Sequence, residues 1–301
     1  MLKKSSLKNI ENWIYNNARS LEIAKWNFIQ NKGSKDDIIN EMLLFQNTDG
    51  GFGKGFECDI LTPDSSAICG GEAIFTAFEY DLDLQADWAK KLYKWCENNT
   101  QNIPTFWESV PKSIDDYPHA PWWGYAVNEE FSPNPCAVLA SAMILYGSDS
   151  QKTLAEKIIA VCMDYILNDE KYWDHDTYCL QRLFLSLKSA NSALITPEIE
   201  KAMSNRILKS VCLDKNKWTE YVAMPLELVD NPNSPWISLF NENIIENLNY
   251  YVETLNDKGY WQPNFSWGVD SDTARKVTQN WIGYIAVKRI KRLIEFGMTE
   301  K

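Results

Sequence analysis

The charge balance of this 301-residue chain excludes one large class of partners. Asp and Glu number 41 against 30 Lys and Arg, so the formal net charge is -11 at pH 7. Binding to nucleic-acid phosphates needs a cationic surface, so we expect no nucleic-acid partner. The one basic run, at residues 288–292, is expected to close the last helix, where cations suit the helix dipole.

Length and apolar content favour one globular domain spanning residues 1–301. No apolar run is long enough to cross a bilayer, and the first residues lead into a polar amphipathic helix. We therefore expect no transmembrane segment and a cytoplasmic protein. The seven cysteines are an odd number without a Cys-x-x-Cys pair, which predicts reduced thiols in the core.

Helical periodicity runs through the chain from its first residues. Apolar positions from Leu7 to Phe28 predict one opening helical segment. Ser34 and Asp37 have the spacing of a capping box and predict the start of the next helix, and Thr153 with Glu156 marks a later start. The remaining helices are predicted near residues 67–78, 85–98, 134–146, 153–167, 175–190, 197–212, 239–255 and 272–296. No alternating strand pattern competes with them, and residues 221–238 are expected to be only partly helical.

A glycine-rich joint follows the helix that ends near Gln46. Residues 46–53 read Gln-Asn-Thr-Asp-Gly-Gly-Phe-Gly. Glycine tolerates the positive φ that a tight exit from a helix requires, so Gly50 and Gly51 are expected to stop the helix. Phe52 is then expected to fold back as an apolar plug.

Weaker copies of this joint recur along the chain. Each copy keeps an aromatic residue after a polar turn, and the plug residues are Phe52, Trp107, Trp173, Trp218 and Trp261. Their irregular spacing, about 50 residues on average, indicates a repeat of two helices and two turns.

This motif and its copies resemble those of the terpenoid cyclase and protein prenyltransferase superfamily. The chain also looks like a group of bacterial proteins of that type. Further landmarks that carry the resemblance are residues 56–59, 63–66, 119–123, 134–135, 267–268 and 296–297. The resemblance covers most of the chain and implies an all-α fold, an α/α toroid in which about five to six helical hairpins surround a central cavity. It is more specific for fold than for activity.

The resemblance also supplies one candidate acid, Asp272. Class II terpene cyclases carry an Asp-x-Asp-Asp-Thr-Ala motif whose acid protonates an alkene. Residues 269–274 match it in part, but Ser271 stands in the place of the proton-donating aspartate. A catalytic Asp272 would need a dry pocket that raises its pKa. The alternative is that Ser271 or Asp272 caps the final helix.

No metal site or cofactor is predicted. Protein prenyltransferases hold zinc with ligands from the later part of the chain, whereas the two histidines here are His119 and His175. Asp174, His175 and Asp176 superficially resemble a metal or acid/base cluster, but they open a predicted helix, so capping explains them. Asp115 and Asp116 are a weak match to a magnesium-binding aspartate pair.

Glu57 and Asp59 are the leading candidates for catalytic residues. They follow the glycine joint, and a loop at the rim of a toroid would point them into the cavity as acid and base. The alternative is that they bond loop amides and basic neighbours.

Aromatic residues supply the candidate ligand-binding residues. Thirteen tryptophans exceed what core packing ordinarily needs, so some are expected to line a pocket. The candidate ligand-binding residues are His119, Trp122, Trp123, Tyr221 and Trp267.

Two classes of small-molecule ligand fit such a pocket. The first is an apolar, isoprenoid ligand, with ring faces that stabilise cationic intermediates in cyclase-like chemistry. The second is a sugar, bound on tryptophan platforms and processed by paired carboxylates. A non-catalytic scaffold is the third alternative.

Overall fold

The computed structural model describes residues 1–102, 105–128, 130–168 and 174–300. Helices account for 62% of the chain and strands for 3%, which confirms the all-α prediction. The described α-helices are α1 (Lys4–Asn17), α2 (Ser20–Ile29), α3 (Lys35–Leu43), α4 (Ala67–Tyr80), α5 (Asp87–Asn98), α6 (Pro133–Tyr146), α7 (Asp149–Asn168), α8 (Asp174–Ser189), α9 (Pro197–Ser210), α10 (Pro225–Leu228), α11 (Asn241–Thr254) and α12 (Asp272–Glu295). Two short strands, β1 (Gln101–Asn102) and β2 (Thr105–Phe106), pair antiparallel.

The prediction of one opening helix was wrong, because the segment breaks into α1 and α2. Ala18 and Arg19 both have extended backbone, with ψ of 163° and 156°. Arg19 donates two hydrogen bonds to Glu22, at 2.7 and 2.8 Å, and this pair closes the first turn of α2. The apolar pattern of the sequence continues across the break because Ala18 faces α12 there. Its side chain packs against Gly283, which leaves room for it.

Two predicted helix starts had different outcomes. The capping box at Ser34 is confirmed: Asp37 Oδ2 accepts from the Ser34 amide at 2.7 Å, and the Asp37 amide donates to Ser34 Oγ at 3.2 Å. The start at Thr153 was wrong, because α7 already begins at Asp149. Gln151 Oε1 accepts from the Ser148 amide at 2.9 Å, so Ser148 and Gln151 make the reciprocal bonds expected of Thr153.

The chain divides into two compact units. The first unit comprises Met1–Glu41 and Val211–Lys301, and the second comprises Met42–Ser210. The prediction of a single domain stays a prediction.

Helices of the second unit alternate along the chain between two layers. In one layer α6 lies between α4 and α8, and in the other α7 contacts α5 and α9. Gly71 makes close packing possible in the first layer, since a Cβ there would lie 2.8 Å from the Pro135 ring. Along the chain α6 also packs against α7, and α8 packs against α9.

Helix α12 organises the first unit by packing against α1 and α2, while α10 packs against α11. The two ends of the chain meet in this unit: the Leu2 amide donates to the Met298 carbonyl at 2.7 Å, and Leu2 is buried. The basic run of α12 makes contacts within the unit. Lys288 pairs with Glu227 at 2.7 Å, and the Arg289 guanidinium lies 4.4 Å from the Tyr251 ring centroid.

The aromatic plugs are confirmed where the structure describes them. Phe52 is fully buried, and Trp107, Trp218 and Trp261 are each about 1% exposed. Their indole nitrogens donate to carbonyl oxygens of Cys96, Cys212 and Tyr251, each at 2.8 Å. Trp173, the remaining predicted plug, lies outside the described residues.

Candidate functional site

A short backbone ladder in the second unit brings two of the predicted site residues, Asp59 and His119, together. The Ala120 amide donates to the Asp59 carbonyl at 3.0 Å, and the Leu61 amide donates to the Pro118 carbonyl at 3.2 Å. Between these bonds Ile60 and His119 form an antiparallel bridge. The loop after the glycine joint is thereby held against the segment that carries His119, Trp122 and Trp123.

The carboxylate of Glu57 accepts a hydrogen bond from within its own loop. Its Oε1 accepts from the Asp59 amide at 3.4 Å, and both residues are buried, at 7% and 2% exposure. This bond matches the structural alternative for Glu57. Burial, together with the charges of Glu57 and Glu72, raises the pKa of the Cys69 thiol to about 12, so that thiol is a protonated core group.

His119 sits between a carbonyl and a carboxylate. Its Nδ1 lies 2.8 Å from the Tyr117 carbonyl oxygen and therefore donates to it. Its Nε2 lies 3.7 Å from Asp115 Oδ1, and the side chain is 19% exposed. With Nδ1 bonded to the Tyr117 carbonyl, Nε2 is the ring nitrogen that lies beside the Asp115 carboxylate.

Asp115 is itself fixed by the next turn of the loop. Its Oδ1 also accepts from the Tyr125 amide at 3.0 Å. Gly124 faces the pair, because a Cβ built there would lie 3.7 Å from Asp115 Oδ1 and 3.8 Å from His119 Nε2. The Tyr125 hydroxyl donates to Glu108 at 3.0 Å, which anchors the loop a second time.

Two tryptophans follow His119 in a single 3-10 turn, Pro121–Trp123. Trp122 is 43% exposed, an unusual degree for an indole ring. The Trp123 indole nitrogen is enclosed and meets no acceptor among the residues that the structure describes. A stretch of about ten residues thus carries an exposed ring, an enclosed N–H, an imidazole and a carboxylate.

The other three predicted site residues lie in the first unit. Tyr221 is 57% exposed and meets Phe265 edge to face, at 5.6 Å between ring centroids. Trp267 is half-buried in the loop before α12. The structure therefore divides the predicted residues into a group of five in the second unit and a group of three in the first.

Asp272 does not occupy the dry pocket that an acid catalyst would need. Its side chain is 99% exposed and pairs with Arg275. Ser271 caps α12, because its Oγ accepts from the Ala274 amide at 3.1 Å, which confirms the capping alternative.

The cluster at the start of α8 separates into different environments. The Asp174 carboxylate accepts from the amide of the next residue, His175, at 3.0 Å. Asp174 is half-buried and His175 is exposed. Asp176 instead turns toward α6 and accepts from Ser132 Oγ at 3.1 Å and from the Asn134 amide at 3.3 Å. Burial raises the pKa of Asp176, and these hydrogen bonds oppose that rise only in part.

Sequence reasoning missed the partners of His119. Asp115 was weighed only with Asp116 as a metal pair, although its spacing of four residues from His119 was the available signal. Tyr125 is one of the aromatic residues that favour a pocket here, but no signal pairs it with Glu108, since a loop conformation brings the two together. Within the described residues, no group of three or more His, Cys, Asp or Glu side chains is placed to hold a metal ion.

Comparison with models of protein families, with curated proteins and with solved structures finds no match. A search of the described helices for a segment long and apolar enough to cross a membrane also finds none.

Proposed function

We propose that this protein binds a small hydroxylated ring compound, such as a sugar, at the loop that carries His119 and Trp122. The observation that carries the proposal is the exposed Trp122 ring, which lies three residues along the chain from His119 and its partner Asp115. An indole face covers the C–H face of a sugar ring, while carboxylate and imidazole groups bond its hydroxyls.

Each polar group has a defined part in this proposal. Asp115 accepts from a ligand hydroxyl, and His119 Nε2 either accepts a second hydroxyl or takes its proton as a general base. The enclosed Trp123 N–H offers a donor. Glu57 and Asp59 are assigned a positioning part, since Glu57 bonds a loop amide and the Asp59 carbonyl accepts from the Ala120 amide, next to His119.

We also propose that helices α4 to α9 of the second unit belong to an α/α toroid of about five to six hairpins. Support comes from the alternation of α4, α6 and α8 with α5, α7 and α9, and from the buried plugs at the joints. The resemblance of residues 46–53 to the terpenoid cyclase and prenyltransferase superfamily points the same way.

An apolar, isoprenoid ligand is the second candidate. One observation favours it: half-buried Phe75 on α4 stacks on Tyr178 of α8 at 4.6 Å between centroids, and the Arg182 guanidinium lies 4.6 Å from the Phe78 ring centroid. This aromatic wall suits an apolar ligand. The solvent-exposed Asp272 gives no support to acid-initiated cyclisation.

The test is native mass spectrometry of freshly purified protein, followed by calorimetric titration with a panel of methyl glycosides. We expect Trp122→Ala to weaken glycoside binding about 10-fold, the loss of one stacking contact. Tyr146→Ala, which removes another exposed ring of the second unit, is the matched control and should bind normally. A co-purifying isoprenoid, or unchanged affinity in Trp122→Ala, would overturn the sugar proposal.

A further inference from the structure

Four aromatic rings form a continuous row beside α12 in the first unit. The row, called here the α12 ring row, consists of Tyr221, Phe265, Trp281 and Tyr284. Successive centroids are 5.6, 5.3 and 5.2 Å apart, and interplanar angles of 79° to 87° make each contact edge to face. Tyr221 is exposed and the other three are half-buried. The row thus leads from solvent toward the interior of its unit.

The inner end of the α12 ring row meets charged groups of α2. The Lys25 ammonium lies 5.9 Å from the Tyr284 ring centroid, although Lys25 is only 5% exposed. Glu22 is fully buried beside it. Burial raises the pKa of Glu22, but Arg19 and Lys25 outweigh burial and the pKa is lowered, so the carboxylate stays charged. The end of the row is therefore a polar and enclosed environment.

Asn280 of α12 carries a buried side-chain oxygen to which none of the described residues donates a hydrogen bond. It is 9% exposed, and its Oδ1 is enclosed with no hydrogen-bond partner among the described residues. Asn280 precedes Tyr284 by four residues, which places both on the same side of α12. A buried amide oxygen without a donor is destabilising, so a ligand that donates a hydrogen bond to it gains affinity.

We propose that the first unit binds a flat ring compound that carries a hydroxyl or amino donor. The ring lies against Trp281 and Tyr284, and the donor bonds Asn280 Oδ1. Trp26, the residue after Lys25 on α2, also has an enclosed indole N–H with no partner among the described residues. This site uses none of the residues assigned to sugar binding at His119.

A pair of probes tests the donor directly. 2-Naphthol and 2-methoxynaphthalene share the same flat ring system, and only the first donates a hydrogen bond. In calorimetric titration of the full chain we expect 2-naphthol to bind about 10-fold more tightly, because the methoxy compound leaves Asn280 Oδ1 without a donor. Asn280→Leu should bind both probes equally. Trp281→Ala should weaken both, whereas Trp13→Ala, another half-buried tryptophan of the first unit, should leave both unchanged.

Three outcomes would overturn the proposal: equal binding of the two probes to the unsubstituted chain, binding of neither, or full affinity in Trp281→Ala. The comparison of probes on the unsubstituted chain decides the question even where Asn280→Leu fails to fold. Binding of 2-naphthol that persists in Trp122→Ala separates this site from the one at His119.

Discussion

At the scale of single residues, two carboxylates have pKa values shifted in opposite directions. Burial raises the pKa of Glu227, but Lys288, Arg289 and Arg292 outweigh it and bring the pKa down to about 2. Asp176 meets fewer cations, and burial prevails, so its pKa is raised. The difference follows from the neighbours: Glu227 accepts from Lys288 Nζ at 2.7 Å and from the Tyr251 hydroxyl at 3.1 Å, whereas Asp176 accepts from neutral donors.

Glu227→Gln is predicted to lower the free energy of unfolding at pH 7 by about 1–3 kcal/mol, because Lys288 loses its charged partner. The ordinary pKa is 4.5, so the contribution of Glu227 is present above about pH 4.5 and is lost as the pH falls toward 2. Urea unfolding at several pH values should show that, between pH 4.5 and 2, the free energy of unfolding falls less steeply for the variant than for the unsubstituted protein. Glu200→Gln, which breaks an exposed pair with Lys188, is the control and should change stability by about 0.5 kcal/mol or less.

Asp176→Asn is predicted to keep or raise stability at pH 7, by up to about 1 kcal/mol. The amide oxygen still accepts from Ser132 and Asn134, while the cost of burying a charge is removed. Because the folded-state pKa of Asp176 is raised, the gain should appear as the pH rises through that pKa and vanish in acid. Thermal unfolding across the pH range measures it. A loss of several kcal/mol at neutral pH would show that attraction to Arg206 outweighs burial.

At the scale of elements, side-chain hydrogen bonds and glycine conformations together define the joint after α3. Gln46 Nε2 donates to the carbonyls of Gly50 and Trp88, both at 2.9 Å, and so ties the joint to α5. Asp49 Oδ1 accepts from the Gly51 amide at 3.0 Å. Gly50 has a φ of 95° in a turn closed by the bond from the Asn47 amide to the Gly51 carbonyl. The expectation that Gly50 and Gly51 stop the helix was wrong, because α3 already ends at Leu43.

Gly53→Ala is predicted to destabilise the second unit by about 2 kcal/mol or more. A Cβ there would lie 2.2 Å from the Asp64 carbonyl oxygen, and backbone has to shift to relieve that contact. Gly124→Ala is the matched control, since the nearest atom to its Cβ is 3.7 Å away and its φ is -58°. Chemical denaturation of the two variants measures the difference. Equal stability would contradict the importance of the close approach at Gly53.

At the scale of the whole molecule, the cysteines lie in the cores of the units. Six of the seven are buried and Cys212 is half-exposed. Burial raises the pKa of Cys69 and of Cys136 to about 12, and it also raises the pKa values of Cys96, Cys162 and Cys179. Their thiolates are therefore scarce as well as inaccessible.

Titration of the native protein with a thiol reagent is predicted to label Cys212 within minutes and the six buried thiols far more slowly. Denaturant should expose all seven at once, because the buried thiols become accessible only when their cores open. Cys212→Ser should remove the fast phase. Several fast-reacting thiols in the native protein would contradict this packing.

The helix predictions depended on local sequence signals, and the errors arose where non-local contacts determine the structure. Helices α6, α9 and α12 begin within about two residues of their predicted starts, because apolar periodicity and caps such as Ser271 are local. The break at Ala18 was missed because an inward-facing alanine continues an apolar stripe whether or not the helix does. Of the candidate site, Glu57, Asp59, His119, Trp122 and Trp123 were chosen separately, and no spacing along the chain predicts the ladder at Ile60 and His119.

The sequence by itself determined that this chain is helical and that glycine joints and buried aromatic plugs separate its helices. Periodicity, capping and glycine conformations act over a few residues, so a sequence displays them directly. Only the tertiary structure decided which polar groups meet: Asp115 with His119, Glu227 with Lys288, and Asn280 beside the α12 ring row. Such groups lie on segments whose relative placement depends on packing across the unit, and their charge and hydrogen bonding change only when packing excludes water from around them.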